Sequence, residues 1–154
     1  MTYDEFIAEY LAKGLIKKQK ADLKEVVKVL KRARIDLKIA KVNIEIDEGI
    51  VYSVAYLAML RAGGALMLFK GFRPDDGNQH KTVVKFTPYY LGNKFKTLVA
   101  HFDRMRRKRN IFMHDIEVSI SGSGANTAFE TAVEFVNLIE KRIKKEQPQI
   151  EFEF

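Results

Sequence analysis

Between residues 20 and 46, apolar side chains return every three or four positions: Leu23, Val26, Leu30, Ala33, Leu37, Ala40 and Ile44. That spacing lays them along one face of a long helix. A second stripe, Ile35, Ile39, Val42 and Ile46, joins in the later half, so that half is expected to be buried on two sides. Ahead of it, a short helix over 3–13 stops at Gly14. Asp47-Glu48-Gly49 reads as a turn, and residues 50–70 are apolar nearly all round, the pattern of a central helix. Gly63-Gly64 interrupts that helix, each glycine costing about 1 kcal/mol relative to alanine. A kink, a break or the close approach of another helix would each account for the pair, and the pattern does not separate them.

Arg73-Pro74-Asp75-Asp76-Gly77-Asn78 is the strongest loop signal in the chain. Asp75 and Asp76 read as part of a polar turn, since no further ligands follow at metal-binding spacing. His80, just beyond, reads as a surface residue. A short helix is expected over 79–86, punctuated by Pro88 and Gly92, and a longer one over 93–113 with Phe95, Leu98, Phe102, Met105 and Phe112 on its apolar side. Ile116, Val118 and Ile120 alternate with polar residues, the period of an extended segment. Ser121-Gly122-Ser123-Gly124 reads as a flexible connector. Thr127-Ala128-Phe129-Glu130 fits a capping box opening a last helix, with Phe129, Val133, Val136, Ile139 and Ile143 as its buried stripe and Pro148 as its end. The alternating tail Ile150-Glu151-Phe152-Glu153-Phe154 has three open fates: pairing with 116–120, packing on a neighbouring chain, or disorder. The expectation is an all-α fold, an antiparallel bundle of four to five main helices. It forms a single domain over 1–154, with a core at about 20–146 and a tail at 147–154.

At 154 residues the chain is long enough to bury a core without metals or disulfides. The absence of cysteine excludes disulfide frameworks, thiolate zinc sites and a cysteine nucleophile. The acidic start lacks the basic-then-apolar layout of a signal peptide. Residues 50–69 are about long enough to span a bilayer. Arg61 near their middle would cost roughly 2.5–3.5 kcal/mol there, so a buried core helix, no membrane and a cytoplasmic protein are the expectation. The formal net charge of +7 favours polyanionic partners.

That charge is concentrated. Five of the seven residues from Asp103 to Arg109 are basic: Arg104, Arg106, Arg107, Lys108 and Arg109. Asn110, His114 and Asp115 follow. On a helix, Asp103, Arg106, Arg107, Asn110 and His114 share one face, while Arg109 turns partly toward the apolar side. Arg109 and His114 lie about 140° apart around a regular helix. They converge only if the helix ends near His114 or a second chain supplies the partner group. An arginine fork matches phosphate oxygens, and histidine exchanges protons near neutral pH. Phosphodiester cleavage needs charge stabilisation and proton transfer, and RNA brings its own nucleophile in the 2′-hydroxyl. A solvated basic face, with His114 as a helix cap, is the competing reading of the same residues.

Arg109-Asn110-Ile111-Phe112-Met113-His114 resembles the signature of the HEPN superfamily: an arginine, a polar residue, three further positions, then histidine. Its position before a final helix, and the hairpin of long helices around Asp47-Glu48-Gly49, are similar too, so the resemblance spans about residues 20–146. The resemblance implies a HEPN-like bundle acting as a metal-independent endoribonuclease, often a toxin of a toxin–antitoxin pair or a defence effector. Such proteins are homodimers whose motifs face each other, and a nucleotidyltransferase-type antitoxin is a possible partner. Carried onto this chain, His114 would transfer protons, Arg109 would hold the scissile phosphate and Asn110 would position substrate or His114. Arg104, Arg106, Arg107 and Lys108 would be further RNA contacts. No cofactor and no metal are implied. The alternative is a non-catalytic HEPN-like module that binds nucleotide or nucleic acid, or docks a nucleotidyltransferase. The 79–92 region is longer than a minimal bundle of this kind needs.

Overall fold

The computed structural model describes residues 1–75, 77, 79–115 and 119–152. The fold is an all-α bundle. Its helices are α1 (Tyr3–Ala12), α2 (Leu23–Val42), α3 (Glu48–Phe69), α4 (Gln79–Leu91), α5 (Lys96–His114) and α6 (Gly122–Glu146), with a 3-10 turn at Asn93–Phe95 leading into α5. Strands β1 (Ile16–Lys18) and β2 (Phe72–Pro74), which the apolar pattern does not announce, form a two-stranded antiparallel ribbon pairing Ile16 with Pro74. Three residues each are too few for a period-two signal to show.

α3 is the hub and packs against α2, α4, α5 and α6. Its burial runs round the whole helix, from Val51 and Tyr52 through Tyr56 and Met59 to Leu66 and Met67. It is the one helix among the described residues long and apolar enough to cross a membrane, and 61% of that stretch is buried within the bundle. Arg61, the residue that argued against a membrane span, pairs with Asp36 of α2. On α2 the first stripe is buried as expected at Val26, Leu30, Ala33, Leu37 and Ala40, whereas Leu23 is exposed and Ile44 half-buried. The Arg34 guanidinium reaches across to both carboxylate oxygens of Glu140, at 2.9 and 2.5 Å, fastening α2 to α6.

The second stripe departs from expectation. Ile35, Ile39, Val42 and Ile46 are exposed, the last two at 71% and 72%. One reason is that α2 ends at Val42, so Ile46 lies in the turn; the Asn43 side chain closes the helix by donating to the Ile39 carbonyl at 2.9 Å. The other is that, among the described residues, no second layer covers α2 on that side.

Gly63 and Gly64 do not break α3. A Cβ at Gly63 would sit 2.7 Å from Val83 Cγ1 of α4 and 3.6 Å from the Phe102 ring of α5, so this glycine permits close helix approach. A Cβ at Gly64 would meet nothing within 4 Å. Gly64→Ala is therefore expected to stabilise the fold by about 1 kcal/mol. Gly63→Ala is expected to destabilise it by about 1–3 kcal/mol through overpacking. Urea-unfolding midpoints moving in the same direction for both would refute the assignment of Gly63 to close approach.

α4 runs on to Leu91, past the expected end at 86 and through Pro88. Proline lacks the N–H that would bond the Val84 carbonyl. The buried Thr87 hydroxyl takes that place, donating to Val84 O at 2.9 Å. α6 begins earlier than expected. Ser121-Gly122-Ser123-Gly124 is no connector: Ser121 caps the helix, its Oγ accepting from the Gly124 N–H at 3.0 Å, and residues 122–124 form the first turn. Thr127 lies inside the helix and its carbonyl accepts from the Thr131 hydroxyl at 2.7 Å. Burial of Ala125 and Ala128 accounts for the extra turns. The buried face of α6 runs through Phe135, Val136, Ile139 and Ile143, with Phe129 and Val133 half-buried at its edge.

The core also reaches beyond residues 20–146. Phe6 and Ile16 are buried, and Phe6 stacks on Tyr89 of α4 with ring centres 4.6 Å apart. At the other end, Ile150 is buried, its carbonyl accepts from Lys144, and Phe152 packs against the core. The tail thus folds back on its own chain as far as Phe152. Asp76 and Asn78 of the predicted loop, Ile116, Glu117 and Val118 of the predicted extended segment, and the last two tail residues lie outside the described residues.

Candidate nucleic-acid interface

α5 carries the basic cluster to one end of the bundle. Leu98, Phe102 and Met105 bury its apolar side, and the half-buried Phe112 ring lies against Gly49 at the start of α3. The geometry of the other side chains follows from that anchoring. Asp103 accepts from Arg106 Nε at 3.2 Å and pairs with Arg107 at 3.2 Å. Arg106 is thereby held close to the surface, 17% exposed, while Arg107 is 62% exposed. Lys108 lies 5.7 Å from the Tyr52 ring centre, and Arg104 is exposed. Among the described residues, the carboxylate partners on α5 go to Arg106 and Arg107, not to Arg104, Lys108 or Arg109.

Arg109 is turned inward, as its place on the helix predicts. Its guanidinium carbon lies 5.6 Å from the Tyr56 ring centre, and its Nε is buried without a partner among the described residues. Asn110 and His114 are exposed, His114 being the last residue of α5, with the Asp115 N–H still bonded to the Ile111 carbonyl at 2.9 Å. The helix is thus regular through the motif, and Arg109 and His114 stay about 140° apart around its axis. Within one chain the two do not meet.

The structure instead brings His80 into this region, correcting its reading as a plain surface residue. His80 is half-buried at the first turn of α4, with its Nδ1 3.1 Å from the Tyr56 hydroxyl. Burial first, then the Arg109 and Arg106 charges, hold its imidazole below the usual histidine range. Burial pushes the Tyr56 phenol up to about 12, partly opposed by the same guanidiniums. Sequence spacing carried no hint of this, because the three residues come from three helices.

Two clefts flank α5. One, of about 730 Å³, lies toward the start of α6 and is lined by Tyr52, His101, Arg104, Lys108, Ser121 and Ser123, among others. The other, of about 790 Å³, runs between α1, α4 and α5 and carries Lys81, Lys85, Lys96, Arg106 and Arg107 beside Tyr10 and Tyr89. Among the described residues, no three His, Cys, Asp or Glu side chains gather as a metal would require. Fold and site together define a basic all-α bundle whose densest positive charge lies on α5. Compared with family models, curated proteins and solved structures, the chain matches none.

Proposed function

We propose that the chain is a cytoplasmic, metal-independent endoribonuclease of the HEPN type, a toxin or defence effector that works as a homodimer. The observation that carries the reading is Arg109: a guanidinium free of carboxylates, half-buried on Tyr56, on the helix that ends in His114 and whose other basic side chains line two clefts. A second copy supplies what one chain lacks. Val42, Ile46 and Ile50 are exposed around the α2–α3 turn, and Ile111 and Met113 are exposed at 55% and 57% on either side of Phe112, whose ring meets Gly49 at that same end of the bundle; we take them together as one apolar surface. Covering that surface with its own copy, by a two-fold contact, sets Arg109 of one protomer toward His114 of the other. In the reaction the ribose 2′-oxygen attacks phosphorus as its proton is removed. The P–O5′ bond breaks, and the leaving oxygen takes a proton, giving a 2′,3′-cyclic phosphate and a 5′-hydroxyl. His114 serves proton transfer and Arg109 the phosphate charge, with Asn110 beside them and Arg104, Arg106, Arg107 and Lys108 along the RNA backbone.

The angle between Arg109 and His114 favours a second reading, a non-catalytic module that binds nucleic acid or docks a nucleotidyltransferase-type antitoxin. RNA incubated with the protein in EDTA separates the two. The nuclease reading expects cyclic-phosphate ends from wild type and a loss of about a hundredfold or more in His114→Ala. Equal rates in both proteins would end the role of His114. Salt-sensitive binding with no cleavage by wild type would leave only the binding module.

A further inference from the structure

Tyr56 is fully buried in α3, yet its hydroxyl reaches the half-buried His80 of α4 at 3.1 Å, and its ring carries the Arg109 guanidinium of α5 at 5.6 Å. One buried phenol therefore gathers an imidazole and an arginine from separate helices. Arg106, one turn earlier on α5, adds a second guanidinium that Asp103 orients. With the phenol protonated, its O–H can donate to His80 Nδ1, leaving the imidazole proton on Nε2. An anion selects that tautomer, because it presents an N–H donor beside two cations.

We propose that His80, Arg106 and Arg109, organised by Tyr56, form a phosphate-binding cluster within a single protomer, its ligand a backbone phosphate of single-stranded RNA. The α1–α4–α5 groove argues for a chain of phosphates over an isolated one. Arg106 lines that groove, so cluster and groove share a wall, and Lys81, Lys85 and Lys96 continue its positive charge. Tyr10 and Tyr89, also in its lining, each stack on Phe6 by one face, so any unpaired base would stack on the opposite face of the ring. The identity of the ligand rests on the reading of the chain as an RNA-acting protein. The cluster itself requires phosphate binding only, not cleavage.

The test is a titration of the full-length protein carrying 15N-labelled histidine, with inorganic phosphate in one arm and a 2′-O-methyl oligoribonucleotide, which lacks the attacking hydroxyl, in the other. His80→Gln assigns the His80 resonances. The expected result is saturable movement of the His80 ring nitrogens in the oligonucleotide arm, with affinity about tenfold or more weaker in Arg109→Gln. Movement with inorganic phosphate alone keeps the cluster and makes its ligand a free phosphoryl group. Stationary His80 signals in both arms of the wild-type titration overturn the proposal without any variant having to fold. An unchanged midpoint in folded Arg109→Gln overturns it too. Cleavage in EDTA is scored separately. Its absence sinks the ribonuclease and leaves a phosphate-binding cluster standing, whereas cleavage with a silent His80 sinks the cluster alone.

Discussion

Mixing Arg109→Ala with His114→Ala is expected to restore about a quarter of the wild-type RNA-cleaving rate, although each variant alone falls by about a hundredfold or more. The physical ground is the regularity of α5, which keeps the two side chains on different faces of one helix. If each site takes its guanidinium from one protomer and its imidazole from the other, a mixed dimer holds one site with both groups intact and one with neither. Random exchange makes about half the dimers mixed, and each has one working site of two, hence the quarter. The measurement is a cleavage rate in EDTA against the mixing ratio, after subunit exchange, with circular dichroism confirming that both variants fold. Cleavage by wild type with no recovery in the mixture would show that the two groups do not combine across a dimer. Surface substitutions on the apolar patch, such as Val42→Asp with Ile46→Asp, are expected to remove cleavage along with dimerisation while leaving the bundle folded, because neither side chain enters the core.

The largest stability loss is expected at Asp36. Its side chain is 2% exposed in α2 and holds two guanidiniums, that of Arg61 in α3 and that of Arg32 at 3.3 Å on its own helix. Asp36→Ala leaves Arg61, 33% exposed, without its carboxylate at the α2–α3 interface. Breaking a buried pair from one side costs about 3–5 kcal/mol. Arg61 reaches solvent in part, which sets the expectation at about 3 kcal/mol, the lower end of that range. Urea unfolding reads it directly. The double variant Asp36→Leu with Arg61→Met is expected to regain most of the loss, since an apolar pair of similar volume carries no desolvation penalty. A loss below about 1 kcal/mol in the single variant would mean that Arg61 finds water readily and that the pair adds little.

This ion pair also shows why one feature was only half legible in the chain. Arg61 within an apolar run argued against a membrane span, and that argument needs only local composition. Its partner lies in another helix, at a position that periodicity along α2 treats as one more polar residue. The same limit applied to Gly63 and Gly64, identical neighbours in sequence. Only the approach of Val83 from α4 distinguishes them. Pro88 reads as punctuation in the sequence because its missing N–H is a local fact. That Thr87 satisfies the stranded carbonyl, and that burial of Val83, Val84 and Phe86 holds α4 together, are facts of packing.

What the chain alone determined was the all-α class, the inner faces of α2, α3, α5 and α6, the inward turn of Arg109 and the concentration of positive charge on α5. Each depends on residues a few positions apart, whose relation the helical repeat sets without reference to anything else. Tertiary structure alone decided that Ile39, Val42 and Ile46 remain uncovered, that the tail returns to its own bundle, and that His80, Tyr56 and Arg109 gather at one place. Those outcomes depend on which helices become neighbours. Neighbours are chosen by the summed burial of whole faces, a quantity no single stretch of sequence contains.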